Sequence, residues 1–258
     1  MLKVEVHGPT ARVTLDRPNL HNALDDELIA ELTRTFEDLG KRDDVRVIVL
    51  AGNGKSFCAG ADLNWMARMA AYSHDDNVKD ARAIARMYLT VAKCPKPVIA
   101  RVHGAALGGG AGLVAACDIG VAVESAQFGF TEVKVGIIPA VISPFVIARI
   151  GAARSREFFL TGERFLAGVA HNLGLIQHVV IAEQALDALI AAKVAQILTS
   201  SPAAVAAAKE LIFGVAERTL ETSIDFTAEA IARARASAEG QAGMKAFLSR
   251  GKPPWIRS

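Results

Sequence analysis

Apolar side chains follow two spacings along this chain, and the alternation between them predicts the order of elements. Residues 2–7 and 11–15 alternate apolar and polar positions on either side of Gly8-Pro9, the pattern of a β-hairpin turning at that dipeptide. Asp16-Arg17-Pro18-Asn19-Leu20-His21-Asn22 reads as a polar loop, because Pro18 restricts its predecessor and asparagine favours turns. From Asp25 the spacing changes: Leu28, Ile29, Leu32, Phe36 and Leu39 fall on one face of a helix that starts acidic and runs to Gly40. Residues 45–50, 98–102 and 119–123 are near-continuous aliphatic runs, suited to strands buried in mostly parallel pairing. Residues 62–70 and 80–93 carry helical spacing, and the polar stretch 73–77 between them is expected as a mobile segment over a site. Pro95-Lys96-Pro97 ends the second of these helices, and another is expected over about residues 109–117. Each unit is a helix, an apolar strand and a glycine loop, which suggests a spiral of repeated turns. Beyond about residue 200 only helical spacing is left, over 202–213, 220–235 and 237–250, with enough apolar area to require docking on the body, on a neighbour or on both.

Length and composition narrow this picture. A chain of 258 residues can bury a large core, and the simplest division is one α/β core over residues 1–200 with a helical region over residues 201–258. Hydrophobic residues make up 52% and aromatics only 6%, so the apolar excess lies in small aliphatic side chains, some of it expected at subunit contacts. The 29 basic and 27 acidic side chains nearly cancel without long like-charge runs, which offers no footprint for nucleic acid or an anionic membrane. Cys58, Cys94 and Cys117 are odd in number, lack metal-ligand spacing and sit in apolar settings, reading as reduced structural thiols of a cytoplasmic protein. The first residues alternate like a strand rather than a signal peptide, and no apolar stretch is long enough to span a bilayer, so neither secretion nor insertion is expected.

Candidate chemistry centres on two glycine-bearing loops, each leaving an apolar run and opening into a helical stretch. They are Phe57-Cys58-Ala59-Gly60-Ala61-Asp62-Leu63 and His103-Gly104-Ala105-Ala106-Leu107-Gly108-Gly109-Gly110-Ala111-Gly112. The first amides of a helix lack intrahelical acceptors, so both junctions can present N–H groups, and two converging on one carbonyl oxygen would stabilise an enolate or a tetrahedral oxyanion. For either loop alone, glycines that merely make tight turns are an equal reading. Downstream, Glu132 lies among apolar neighbours, a setting that raises a carboxyl pKa toward the range useful for proton transfer; the alternative is an ion pair with Lys134. Asp118, Asp62 and His103 read more simply as a structural partner, a helix cap and a satisfied core residue. No catalytic Ser-His-Asp order, phosphate-binding loop, dinucleotide fingerprint or metal cluster stands out.

Taken together, residues 57–63, Val102 to Gly110 and Gln127-Phe128-Gly129 through Pro139 resemble the enoyl-CoA hydratase/isomerase (crotonase) family, from Arg17-Pro18 and Asn22-Ala23-Leu24 to Glu239-Gly240 and Ala246-Phe247. The resemblance implies an α/β fold, a spiral of repeated ββα turns with a C-terminal helical trimerisation region, assembled as a homotrimer or a dimer of trimers. It also implies an acyl-CoA thioester as ligand, with no cofactor beyond the coenzyme A of the substrate. Carried over by position, the N–H groups of Ala61 and Gly109 form the oxyanion hole and Glu132 is the catalytic carboxylate. Ala23, Ala59, Asp62 and Leu63 line the adenine and pantetheine path, and Phe247 and Arg250 approach the coenzyme from the last helix. Asn64 stands where a phosphate-contacting lysine is often found. Family hydratases typically use two glutamates, and the first of those positions is Gly112, which cannot orient water or carry a proton. Single-glutamate members include Δ3,Δ2-enoyl-CoA isomerases and some hydratases. Residues 136–145, Gly112 and Ser237-Ala238-Glu239-Gly240-Gln241 resemble the bacterial methylglutaconyl-CoA and isohexenylglutaconyl-CoA hydratases, whose substrates are branched 2-enoyl-CoAs with a second carboxylate.

Overall fold

A computed structural model describes residues 1–256. Strands β1 (Leu2–His7) and β2 (Thr10–Leu15) form the expected hairpin, with His7 opposite Thr10 around Gly8-Pro9. Helix α1 (Asp26–Lys41) is capped by the Asp25 carboxylate, which accepts from Leu28 N at 2.8 Å, and it buries the five apolar residues that mark its face in sequence. Strand β3 (Val47–Gly52) is buried throughout. It starts two residues later than the apolar run, at Val47 opposite Thr10, and Arg46 before it donates its side chain to carbonyls of Leu198, Ser200 and Trp255.

Helices α2 (Leu63–Met69) and α3 (His74–Lys93) follow. The polar stretch 73–77, expected as a segment between two helices, is the cap and first turn of α3: Ser73 accepts from Asp76 N while the Asp76 carboxylate accepts from Ser73 N, a capping box that starts α3 six residues earlier than its apolar spacing suggests. Next come β4 (Val98–Val102), the short β5 (Ala105–Leu107) inside the second glycine loop, α4 (Gly109–Ala116), β6 (Ile119–Val123) and β7 (Gln127–Gly129). Beyond them lie α5 (Ser143–Thr161, broken at Gly151), β8 (Arg164–Leu166), α6 (Ala167–Leu173), β9 (His178–Val180) and α7 (Glu183–Leu198). The chain closes with α8 (Pro202–Ala216), α9 (Leu220–Ala236) and α10 (Ala238–Leu248).

One sheet has the order β1-β2-β3-β4-β6-β9, parallel except at the β1–β2 hairpin, and a smaller sheet has the order β5-β7-β8. Successive turns alternate between them: β4, β5, α4, then β6, β7, α5. The preceding turn is a reduced version, in which β3 leads to a single bridging residue, Cys58 against Ala106, before α2 and α3. The spiral of ββα turns is thus built from a long buried strand, a short strand and a helix, repeated. The end of β7 is fixed by an aromatic cluster, with Phe130 5.1 Å from Phe159 edge-on and Phe158 4.6 Å from Phe165.

The last three helices pack on one another and reach the core through a buried cation. Lys209 of α8 lies 2.7 Å from the Asp118 carboxylate, which also accepts from Val98 N at 2.7 Å. Asp118 therefore joins α8 to the start of β4, the structural role its sequence position suggests. Lys209→Met should leave that carboxylate short of its partner and lower the stability of the chain by about 1–3 kcal/mol. Urea unfolding followed by circular dichroism measures this, and an unchanged midpoint would exclude Lys209 as a tie between helices and core.

Candidate active site

Three short strand segments lie side by side and end in one row. Cys58 N donates to Ala105 O at 2.9 Å, Leu107 N to Cys58 O at 3.0 Å, and Gly108 N to Gly129 O at 2.8 Å. The chain leaving Cys58, β5 and β7 therefore delivers Ala61, Gly109 and Glu132 to adjacent strand ends, the edge where sheets of this class collect ligands.

The first loop is held by the N-terminal polar loop. Asn22, fully buried, donates to Asn53 O (2.8 Å) and Ser56 O (2.7 Å) and accepts from Arg17 N (2.9 Å). The Arg17 guanidinium sits 2.9 Å from Asp25 and 3.1 Å from Asp62. Asp62 in turn accepts from Asn64 N and Trp65 N at the start of α2. Burial opposes its ionisation, yet those amides and the guanidinium together hold the carboxyl below the usual carboxylate range. Its oxygens are committed to scaffold partners, so the capping role accounts for this side chain.

Ala61 is not placed by the helix, contrary to what its loop position in sequence suggests. It precedes the Asp62 cap and so is not among the first amides of α2. Its amide is freed instead by a parallel bridge: Leu24 N donates to Gly60 O and Asp62 N to Leu24 O, both at 2.8 Å, which turns the N–H of Ala61 away from Leu24. Gly60, at φ 105°, makes the reversal that separates Ala59, bonded to His21 O, from Ala61. Gly109 follows the expected logic, being the first residue of α4. Among the described residues, neither the Ala61 nor the Gly109 amide has a hydrogen-bond acceptor.

Glu132 opens a 3-10 turn (Glu132–Val135) just past β7. A Cβ built on Gly108 would stand 3.2 Å from its Oε1, so the carboxyl lies against the residue that precedes the Gly109 amide. Its Oε2 is buried with no partner among the described residues, and burial pushes its pKa above the usual carboxylate value. The ion pair with Lys134 that sequence left open does not form. A half-buried carboxyl with one unpartnered oxygen, on a strand end next to those that carry two unpaired amides, suits proton transfer next to a polarised carbonyl.

At Gly112 the room for a side chain is taken: a Cβ there would be 2.3 Å from Ile142 Cγ2 and 3.2 Å from Tyr88 Cε1. Tyr88 is the group that sequence reasoning missed. Its position on the buried face of α3 reads as core, and only its hydroxyl, 2.9 Å from Gly109 O, connects it to the site. A tyrosine at a core position needs a polar partner, which is the signal that could have found it.

Ala23 is buried beside this row, Ala59 is half-buried, and Leu63 (81% exposed) and Asn64 lie on its outer rim. Phe247 and Arg250 are not joined to the cluster: Phe247 stands 84% exposed on α10, which packs on α8 and α9, and Arg250 follows that helix at φ 53°. His103 is a core residue, its Nε2 2.7 Å from Gly54 O. Cys58, Cys94 and Cys117 are buried free thiols, Cys58 and Cys117 pushed up to about 12 by burial. A groove of about 760 Å³ lies among α8, α9 and α10, and its lining includes none of the residues of the row.

The sequence matches the model of the family described as enoyl-CoA hydratase/isomerase over residues 5–258. It is 33% identical to a Thermus thermophilus protein provisionally named enoyl-CoA hydratase, covering 98% of this chain and 99% of that one. A solved structure from Legionella pneumophila, provisionally described as an enoyl-CoA hydratase/isomerase (crotonase), shares 42% identity at a TM-score of 0.91, covering 99% and 98%. An enoyl-CoA hydratase structure from Shewanella pealeana shares 39% identity at a TM-score of 0.94, covering 98% and 95%.

Proposed function

The chain belongs to the enoyl-CoA hydratase/isomerase family, with the crotonase fold, and on that premise we propose that it hydrates a 2-enoyl-CoA through an oxyanion-stabilised enolate. What supports the reading is that neighbouring strand ends carry two amides without an acceptor among the described residues, Ala61 and Gly109, and the Glu132 carboxyl, whose Oε2 is buried and unpartnered. The thioester oxygen accepts from both amides. Ionised Glu132 takes a proton from water as its oxygen attacks C3, negative charge moves onto the thioester oxygen, and the enolate collapses as C2 is protonated. With Gly112 where a second carboxylate would stand, Glu132 returns the same proton to C2, and the net reaction adds water across the double bond.

Running the reaction in H₂¹⁸O tests this: mass spectrometry should find one heavy oxygen in the 3-hydroxyacyl product. A single carboxylate also suits a second reading, in which Glu132 moves a proton between C2 and C4 of a 3-enoyl-CoA; that product carries no label. The acyl group we assign to the branched, glutaconyl type, on the likeness of residues 136–145, Gly112 and 237–241. Ala23, Ala59, Leu63 and Asn64 are assigned to the coenzyme path with the Asp62 backbone, and Phe247 and Arg250 to coenzyme contacts made from the last helix. A homotrimer or a dimer of trimers is supported by the apolar side chains that α8 to α10 leave open, Ile212, Leu220, Ile224 and Leu248 among them. A cytoplasmic setting is supported by the three reduced thiols.

The pH profile should carry the mark of the buried carboxyl. Glu132 acts ionised, and burial raises its pKa, so kcat/KM should rise with pH through a limb lying above the ordinary carboxylate value of about 4.3. A rate already at its plateau at that pH would remove Glu132 as the base.

A further inference from the structure

The second donor of the oxyanion hole sits in a run of three glycines, residues 108–110, the backbone least able to hold a direction by itself. Stabilising a developing charge requires donors that are already aimed. Gly108 is fixed at both ends of its peptide neighbourhood, its N–H on Gly129 O (2.8 Å) and its carbonyl accepting from Gly112 N (3.0 Å). Gly109 itself has one side-chain bond, from the Tyr88 hydroxyl to its carbonyl at 2.9 Å, and no other side chain bonds to residues 108–110 among the described residues. We propose that Tyr88 is a positioning residue, its hydroxyl anchoring Gly109 so that the Gly109 amide keeps its aim at the thioester oxygen. This rests on the reading of Ala61 and Gly109 as the oxyanion hole.

The ring is built to hold that hydroxyl still. Tyr88 is 1% exposed, its ring lies 5.8 Å from that of Phe145 on α5, and its Cε1 sits against Gly112 with Ile142 alongside. Phenylalanine would fill the same volume, so packing does not account for the oxygen; a buried phenol costs free energy unless it is bonded, and its bond goes to the donor residue of the hole. The bond also spans elements, tying α3 to the first turn of α4, so the peptide plane that follows the Gly109 amide is fixed by the packing of two helices, while the plane that carries the amide is held by the Gly108 carbonyl. Burial, ahead of the neighbouring Cys58 and Glu132 groups, keeps the phenol protonated and therefore a donor across the working pH range.

Tyr88→Phe tests the proposal, read by kinetics and by difference infrared spectroscopy of bound butyryl-CoA carrying ¹³C at the thioester carbonyl. That ester has no double bond to hydrate, so its spectrum reports the hole independently of the reaction. In the parent protein the carbonyl stretch should fall on binding; in the variant a substantial part of that lowering should be lost. Turnover should drop roughly tenfold, KM should change by less than about twofold, and the acid limb of the pH profile should stay in place because Glu132 is untouched. Full carbonyl lowering in the variant overturns the role of Tyr88, whether turnover is normal or reduced. No lowering in the parent protein removes the oxyanion hole, and this proposal with it, which separates the two failures.

Discussion

Replacing Glu132 by glutamine should lower kcat by about 100- to 10,000-fold, the range expected for losing a positioned general base, while an enoyl-CoA still binds. The amide has nearly the carboxyl's shape but cannot take a proton from water. On the proposed mechanism backbone amides hold the thioester and distant residues the coenzyme, so KM should change little, and that split distinguishes loss of chemistry from loss of binding. The same substitution should stabilise the fold at neutral pH. A carboxyl whose pKa is raised by burial is harder to ionise in the native state than in the unfolded chain, so it destabilises the native state once pH exceeds the unfolded value of about 4.3, most fully above the raised folded value. Glutamine has no such penalty. The melting temperature of Glu132→Gln should therefore exceed that of the parent at pH 8 and converge with it toward pH 4. A parallel pair of melting curves would mean that Glu132 is solvated in the native state, and normal turnover would mean that it is not the base.

Much of this arrangement is legible in the chain. The aliphatic runs mark β3, β4 and β6 because strands buried on both faces leave no polar alternation, and the α1 face is visible because one side meets the core and the other water. The two glycine loops and Glu132 stand out for the same reason, as polar or flexible positions inside apolar surroundings. What is hidden depends on contacts between distant segments. Strand β5 is three residues long and exists because Cys58 and β7 pair on its two sides. The start of α3 is set by a reciprocal cap between Ser73 and Asp76 in a stretch with no apolar spacing. The Ala61 amide is freed by a bridge to Leu24, and no local pattern in residues 57–63 could reveal that partner. Tyr88 looks like core in sequence because it falls on the apolar face of α3 with Met87 and Val91, and only the tertiary fold brings Gly109 to its hydroxyl.

Gly110→Ala should strike the site without replacing Ala61, Gly109 or Glu132. A Cβ on Gly110 would fall 2.1 Å from Cys58 O and 2.9 Å from Cys58 C, closer than such atoms can stand, and the obstacle is backbone that cannot swing aside. Cys58 and Gly110 belong to the two loops that carry the amides, so the methyl group must part the loops or tilt α4. On the proposed mechanism either movement takes the Gly109 N–H off the thioester oxygen it shares with the Ala61 N–H. Losing one such donor costs about 100- to 1,000-fold in kcat, and the overpacked contact should lower stability by about 1–3 kcal/mol. Gly168→Ala is the control, since a Cβ at that position on α6 meets nothing within 4 Å. It should leave turnover unchanged and raise stability by about 0.5–1 kcal/mol, as alanine does in place of glycine within a helix. The damage from Gly110→Ala differs in kind from that of Glu132→Gln: bound butyryl-CoA should lose much of its carbonyl lowering in the former and keep it in the latter. If Gly110→Ala folds and turns over like the parent, close apposition of the two loops is not what aims the amides, and the polarised carbonyl at the centre of the mechanism must be held some other way.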